Sequence, residues 1–352
     1  MPEFNLSPSV RTFLHEAYVF GILEDARIPN ILLNFHIQLK WPNSNGKVPR
    51  AHFDFEPTLS MVDYAACGSL RMQQFAHSSM VKLGTEGLHE LIKGLLSANG
   101  YIYVMADYCH FNDSGYFRGK SFRHPILIYH YDSNLGKYQC ALYNKNGAYN
   151  GIAVSICELN AAITFDLAGC KRYLPNYNPD LFSVYYKPHA NINFIDLDDI
   201  GKQLACYYYS KSLQGVRLNN LHLRKVCDES ALDKSHYTYG ISAYDCIAKC
   251  IKTAFARKHP TYGVRIARLL WEHKKVMNVR IHMMEELGVS LPSKTFDDWA
   301  QIVEFAHFIH IKAVSSAKRG THDLLNSLDR DLLELKLMVS SCLRPVLSKM
   351  NY

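Results

Sequence analysis

Beyond about Leu218 the sequence loses every strand pattern and keeps only helical ones, and this change of period constrains the fold more than any other feature. The segments SAYDCIAKCIKTAFARK, GVRIARLLWEHKKVMNVRIHMMEELG, TFDDWAQIVEFAHFIHIKAVSSAK and THDLLNSLDRDLLELKLMVSSCLRPVL each place apolar residues on a 3.6-residue period. They predict a helical C-terminal domain over residues 218–352.

The preceding part is mixed. Pro42, Asn45, Gly46 and Pro49 break any regular pattern in WPNSNGKVPR, which reads as a loop or boundary. From Asp63, DYAACGSLRMQQFAHSSMVKL spaces Ala66, Leu70, Phe75 and Met80 as a helix does, and GTEGLHELIKGLLSANG predicts a second helix stopped at Gly100. YIYVMADY, HPILIYHYD and KYQCALYN then read as strands, the last two joined as a hairpin by SNLG, and YNGIAVSI and DLFSVYYKP extend the sheet. ELNAAITF and FIDLDDIGKQLACYYYSKS return to helix. The expected class is α+β, with a helical part followed by an antiparallel sheet in a first domain over 1–217.

Composition narrows the function classes. A chain of 352 residues with 48% hydrophobic residues buries a sizeable core without disulfide staples, so its ten scattered cysteines read as thiols in a cytoplasmic protein. The N-terminus lacks the pattern of a signal peptide, and no apolar run approaches the roughly 20 residues that span a bilayer. The net charge of +7 admits an acidic partner, but the basic residues form no run and no nucleic-acid-binding motif. Cys246 and Cys250 stand at i,i+4 on a helix with no second pair at zinc-ligand spacing, and His307 and His310 lack a carboxylate or cysteine to complete a metal set. They read as packing residues, as do Tyr207, Tyr208 and Tyr209, and neither metal nor cofactor is expected.

The residues that suggest chemistry are Cys67 and His124. In AACGSL, Cys67 reads as lying near a helix start, where partial positive charge favours a thiolate and its own amide offers an oxyanion donor, with Gly68 and Ser69 letting a substrate approach. The bland alternative is a packed cysteine at the same helix start. His124 begins a buried-looking strand and is fixed enough to act as a base, or else is a strand-edge histidine bonded to backbone. A third group must orient such a base; Asn144 at the end of the next strand is the first candidate, with Asp132 and Asn146 as alternatives. Asp107, Tyr108 and Tyr116 flank the loop CHFNDSGYFRGKSFR, which runs into His124, and are candidates for substrate binding.

The segment from Tyr101 to Cys140 resembles part of a family of papain-like proteins encoded beside peptide-antibiotic assembly lines and related to the butirosin acyltransferase. Asp107, Tyr108, Tyr116, His124, Tyr131 and Asp132 carry the likeness, which extends to YGISAYDCIAKCI and to the WEHK string at Trp271–Lys274. The resemblance implies a papain-like cysteine-protease fold with an added helical domain. It also implies an amide synthase that takes an acyl chain from a carrier-protein phosphopantetheine thioester, through an acyl-Cys67 intermediate, to a small amine or diamine. Two departures stand out: Met61 occupies the place of the usual glutamine before the nucleophile, and Leu142 falls where the family often has aspartate. A cysteine peptidase or amidohydrolase is the rival reading, and a catalytically silent binding protein on the same scaffold is a third.

Overall fold

A computed structural model describes residues 4–23, 34–42, 54–56, 59–144, 149–164, 180–187, 195–229, 237–321 and 323–352. It is a mixture of helix and antiparallel sheet, in line with the α+β expectation. The chain divides into two compact units, Met1–Pro29 with Leu59–Ile192, and Asn30–Thr58 with Asn193–Tyr352. The expected boundary at 217/218 therefore falls inside the second unit.

The helices of the first unit are α1 (Leu14–Leu23), α2 (Met61–Ala66), α3 (His77–Val81), α4 (Gly84–Ser97) and α5 (Ile156–Ile163). Its six-stranded antiparallel sheet uses β3 (Arg71–Ala76), β4 (Tyr101–Asp107), β5 (Arg123–Asp132), β6 (Lys137–Tyr143), β7 (Tyr149–Ser155) and β8 (Leu181–Tyr186), in the order β3-β8-β4-β5-β6-β7. Successive side chains alternate between faces. One face presents Ile102, Val104, Ile126, Ile128, Cys140, Leu142, Val154 and Val184, and buries them against Leu88, Ile92 and Leu96 of α4 and Leu159 and Ala162 of α5. The opposite face is rich in tyrosine. There Tyr18 of α1 lies edge-on to Tyr103 of β4, ring centroids 5.8 Å apart.

Every residue of α1 is buried, including His15 and Glu16, so this helix runs inside the unit and not on its surface. The Tyr18 hydroxyl donates to the carbonyls of Pro125, at 3.0 Å, and Ala141, at 2.9 Å, fastening α1 to β5 and β6. Tyr143 donates to the Thr12 carbonyl at 2.7 Å, which fixes the stretch just before α1.

The single helix expected from Asp63 through Leu83 is instead helix, strand, helix. Ser60 and Asp63 form a capping box that starts α2 at Met61. Gly68, with φ +80°, ends it, and the Ser69 amide reaches back to the Tyr64 carbonyl in a Schellman-type closure. RMQQFA then forms β3, an edge strand paired only to β8.

In the second unit, β1 (Gln38–Pro42), β2 (Asp54–Glu56) and β9 (Tyr237–Tyr239) form a small antiparallel sheet in the order β2-β1-β9. Its helices are α6 (Leu197–Tyr208), α7 (Leu221–Glu229), α8 (Ala243–Ala256), α9 (Pro260–Glu286), α10 (Lys294–Arg319) and α11 (Leu328–Lys349). The helical segments read from the sequence after Leu218 correspond to α8 through α11. Tyr207 is buried, Tyr208 half-buried and Tyr209 exposed, so the tyrosine run is core and rim. No described helix is long and apolar enough to cross a membrane.

Candidate functional site

The register of the six-stranded sheet determines which candidate residues meet. His124 opens β5 opposite Ala106 of β4. β5 and β6 pair from Leu127 opposite Ala141 toward the hairpin, and His124 and Asn144 each lie three residues beyond that pair. Both residues are half-buried. Asn144, the expected orienting residue, follows the end of β6, the strand next to the one that His124 opens. Asp132 is at the other end of β5, where it accepts the Asn134 and Leu135 amides and starts the hairpin turn. Asn146 lies outside the described residues.

An aromatic ladder surrounds His124. Its imidazole stacks on Phe122 with centroids 5.6 Å apart and planes 13° apart, and Phe122 stacks on Tyr116 at 4.0 Å and 8°. Tyr108 meets His124 edge-on at 5.9 Å, and its hydroxyl joins that of Tyr18 on the Pro125 carbonyl, at 3.0 Å. The His124 Nδ1 lies 3.5 Å from the same carbonyl. Tyr116, 42% exposed, closes the ladder at the solvent side.

Asp107 is committed to protein donors. Its carboxylate accepts from the Phe122 amide at 2.9 Å, the Cys109 amide at 3.2 Å and the Ser121 hydroxyl, and Arg123 Nε lies 3.9 Å away. Burial disfavours the charge, but the hydrogen bonds from Ser121 and Cys109 and the backbone amides outweigh it and hold the carboxyl below its usual range. Asp107 therefore anchors the loop that carries Tyr116, a role distinct from the expected contact with substrate.

Cys67 has a different setting from the expected one. It is the C-cap of α2, not a residue at its start, and its amide donates to the Asp63 carbonyl at 2.8 Å. The amide is thus engaged within the helix, and the helix end carries partial negative charge, which opposes a thiolate. Gly68 serves to end the helix. Met61, where a glutamine donor was sought, is the buried first residue of α2.

The sheet also keeps Cys67 away from His124. α2 lies on the tyrosine-rich face, where Ser60, Met61 and Val62 line a small cleft with Gln74, Tyr103, Ser183 and Tyr185. His124 shares the opposite face with Ile126 and Ile128. The row of His124 and Ala106 continues through Asp180 to His77, past the far end of β3 from Arg71. From Arg71 to that row is about 20 Å along the strand, and three strand spacings add about 14 Å across. Four residues from Arg71 back to Cys67 reach at most about 14 Å. Cys67 and His124 are accordingly not brought together.

Another thiol lies nearer. Cys109 follows Asp107 directly after Tyr108 and feels the charge of Arg123, but burial and then the Asp107 carboxylate push its pKa up to about 11. It is poorly suited to nucleophilic attack at neutral pH. Cys140 is fully buried beneath the sheet face and is raised further by burial. The serine of SMVD, three residues before an acid, is the signal that places the start of α2 and hence the wrong end for Cys67.

Among the described residues, the groupings with ion-binding spacing are Asp107, Cys109 and His110, and Asp196, Asp198 and Asp199. In the second set Asp196 and Asp199 accept amides at the start of α6 and of the Asn219–Asn220 turn and so serve as caps, while Asp198 accepts from Lys202 and Tyr352. His307 and His310 stack on Trp271 at 4.4 and 5.4 Å. Cys246 and Cys250 are raised in pKa by burial, as packed thiols are. Compared with models of known protein families and with curated proteins, the chain matches none.

Proposed function

We propose that this chain is an amide-forming acyltransferase working from the His124 end of the six-stranded sheet, with a carrier-protein thioester as donor and a small amine or diamine as acceptor. The observation that carries the reading is His124 itself, half-buried at the start of β5 and stacked on an aromatic ladder, with Asn144 just past the end of the adjacent strand. A general base needs such a fixed position and a partner that holds its tautomer. The papain-like fold and the cytoplasmic setting belong to the same proposal. The wholly buried helix α1, approached by Tyr143 just before its start, is the natural counterpart of that fold's central helix. The stretch leading into it, SPSVRTF, contains no cysteine.

That absence, with the placement of Cys67, favours direct transfer over an acyl-Cys67 intermediate. His124 takes a proton as the amine nitrogen bonds to the thioester carbonyl carbon. The tetrahedral adduct collapses, the C–S bond breaks, and the imidazolium returns the proton to the departing thiolate. Tyr116, at the solvent end of the ladder, presents apolar ring surface to the acyl chain. The raised pKa of Cys109 also suits a second reading, a catalytically silent protein that binds acyl chains at the same ladder.

Incubating the full chain with acyl-carrier thioesters and a short diamine, and following amide by mass spectrometry, tests the proposal. Direct transfer gives amide that rises with amine, is lost in His124→Ala and persists in Cys67→Ala. Acyl-protein at Cys67 by intact mass, with loss of turnover in Cys67→Ala, would restore the covalent route. Free acid formed without dependence on amine would point to a hydrolase, and saturable binding without turnover to the silent scaffold.

A further inference from the structure

The second unit contains a buried polar knot that the proposed chemistry does not use. Its centre is the His273–Lys274 pair of α9, both residues 0% exposed. His273 Nε2 lies 2.8 Å from the Ile37 carbonyl, an acceptor only, so that nitrogen carries the proton and Nδ1 carries the lone pair. Lys274 Nζ donates to this Nδ1 at 2.8 Å and to the Tyr207 hydroxyl at 2.7 Å, and Tyr207 meets the Tyr244 hydroxyl at 2.8 Å. The amine also sits 5.0 and 5.2 Å from the Tyr207 and Tyr244 ring centroids. None of these partners of Lys274 is a carboxylate. The knot ties α6, α8 and α9 to the chain that enters β1.

The other charged and titratable groups around it are mostly basic. Arg280, two turns along α9 on the same side, donates to the Phe35 carbonyl at 2.5 Å. His36 is buried between these contacts, edge-on to Phe55 of β2, and Phe55 itself lies 5.9 Å from His273. Arg280 and His36 both disfavour a charge on His273. Glu272 is buried on α9 as well, but neighbouring positions on a helix point in different directions. On α10, His307 and His310 face Trp271, on another side of α9.

We propose that His273 and Lys274 form an acid-sensitive lock that holds the segment entering β1 onto α9 at neutral pH and releases it when the pair takes up protons. The pair accommodates a proton badly in either place. On His273 Nδ1 it turns the acceptor of the Lys274 bond into a second donor, and on Lys274 it leaves an ammonium held by an uncharged imidazole and the Tyr207 hydroxyl. Burial first, and for His273 the neighbouring Lys274 next, lower both groups well below their ordinary values.

The sign follows from linkage. A base whose folded pKa is lowered binds fewer protons closed than open, so the closed state gains as pH rises toward the open-state value. Lys274 makes closure pH-dependent below about 10.4, and His273 adds to it below about 6.5. Each extra proton bound by the open state changes the opening constant about tenfold per pH unit.

Hydrogen exchange of the full chain, read on peptides spanning residues 35–41 between pH 5 and 8 and corrected for intrinsic rates, tests this. The opening constant in wild type should rise toward the acid end, and below about pH 6.5 by up to about a hundredfold per pH unit, the limit for two protons. In His273→Gln, which keeps a donor for Ile37 and an acceptor for Lys274, the rise is shallower, at most about tenfold. Lys274→Met, whose apolar chain fills the same space, gives a similarly reduced slope. His36 is retained throughout, so its contribution cancels. A flat wild-type profile overturns the lock. So does an unchanged slope in either variant, and if one variant fails to fold the other decides.

Discussion

Single residues set the surroundings of each candidate side chain, and Cys67 shows how narrowly. Two positions decide its setting: Ser60 starts α2 seven residues earlier, and Gly68 stops it one residue later. A thiol at a helix C-cap lacks the positive end that lowers a thiol pKa. Iodoacetamide should therefore alkylate Cys67 at pH 7 no faster than an ordinary thiol, at the same rate in wild type and His124→Ala; slowing in the variant would show that the two residues are coupled. With the acyl-transfer assay, His124→Ala should lower turnover by about 10²–10⁴ and Cys67→Ala by less than about twofold. Tyr18 is the residue that fastens β5 and β6 beside His124. Tyr18→Phe removes the hydroxyl that bridges the Pro125 and Ala141 carbonyls and should cost about 1–3 kcal/mol in urea unfolding, whereas unchanged stability would show that the hydroxyl is dispensable.

The elements of the first unit differ in how they are encoded. β4 to β7 and α4 carry their own period in their own residues, and the sequence reading places them correctly. β3 does not. RMQQFA is largely exposed on both faces, so it lacks the apolar alternation of a half-buried strand, while Leu70, Phe75 and Met80 mimic a helical spacing. Its strand state comes from pairing with β8, more than a hundred residues away. The ends of α2 are encoded locally and can be tested locally. A Cβ at Gly68 meets nothing within 4 Å, so Gly68→Ala should cost only the left-handed backbone term, about 1–2 kcal/mol. Gly151→Ala would place its Cβ 2.6 Å from the Tyr129 hydroxyl and should cost more in the same thermal unfolding series. A smaller loss at Gly151 than at Gly68 would contradict this account of the two glycines.

At the scale of the molecule, the division into units departs from the order of the chain. Asn30–Thr58 folds with Asn193–Tyr352, because β1 pairs with β9 and the carbonyls of Phe35 and Ile37 accept Arg280 and His273. A fragment of residues 218–352 lacks these acceptors and Tyr207 as well, so Arg280 loses the Phe35 carbonyl and Lys274 the Tyr207 hydroxyl as partners. Such groups are costly to bury. The fragment should show no cooperative thermal transition by circular dichroism, while one that also supplies residues 30–58 and 193–217 should; a cooperative 218–352 fragment would mean that the helices are self-sufficient.

The sequence alone determined what short-range periodicity can carry: the α+β class, the hairpin of β5 and β6, the long C-terminal helices, and His124 at a strand start with Asn144 at the end of the next. These follow from residues a few positions apart that share one element. Only the tertiary structure decided that Cys67 and His124 lie on opposite faces of the sheet, that α1 is an interior helix, and that the WEHK string is buried. Each of those depends on pairings across a hundred residues or more, where the partner is chosen by register and packing and leaves no mark on the local pattern.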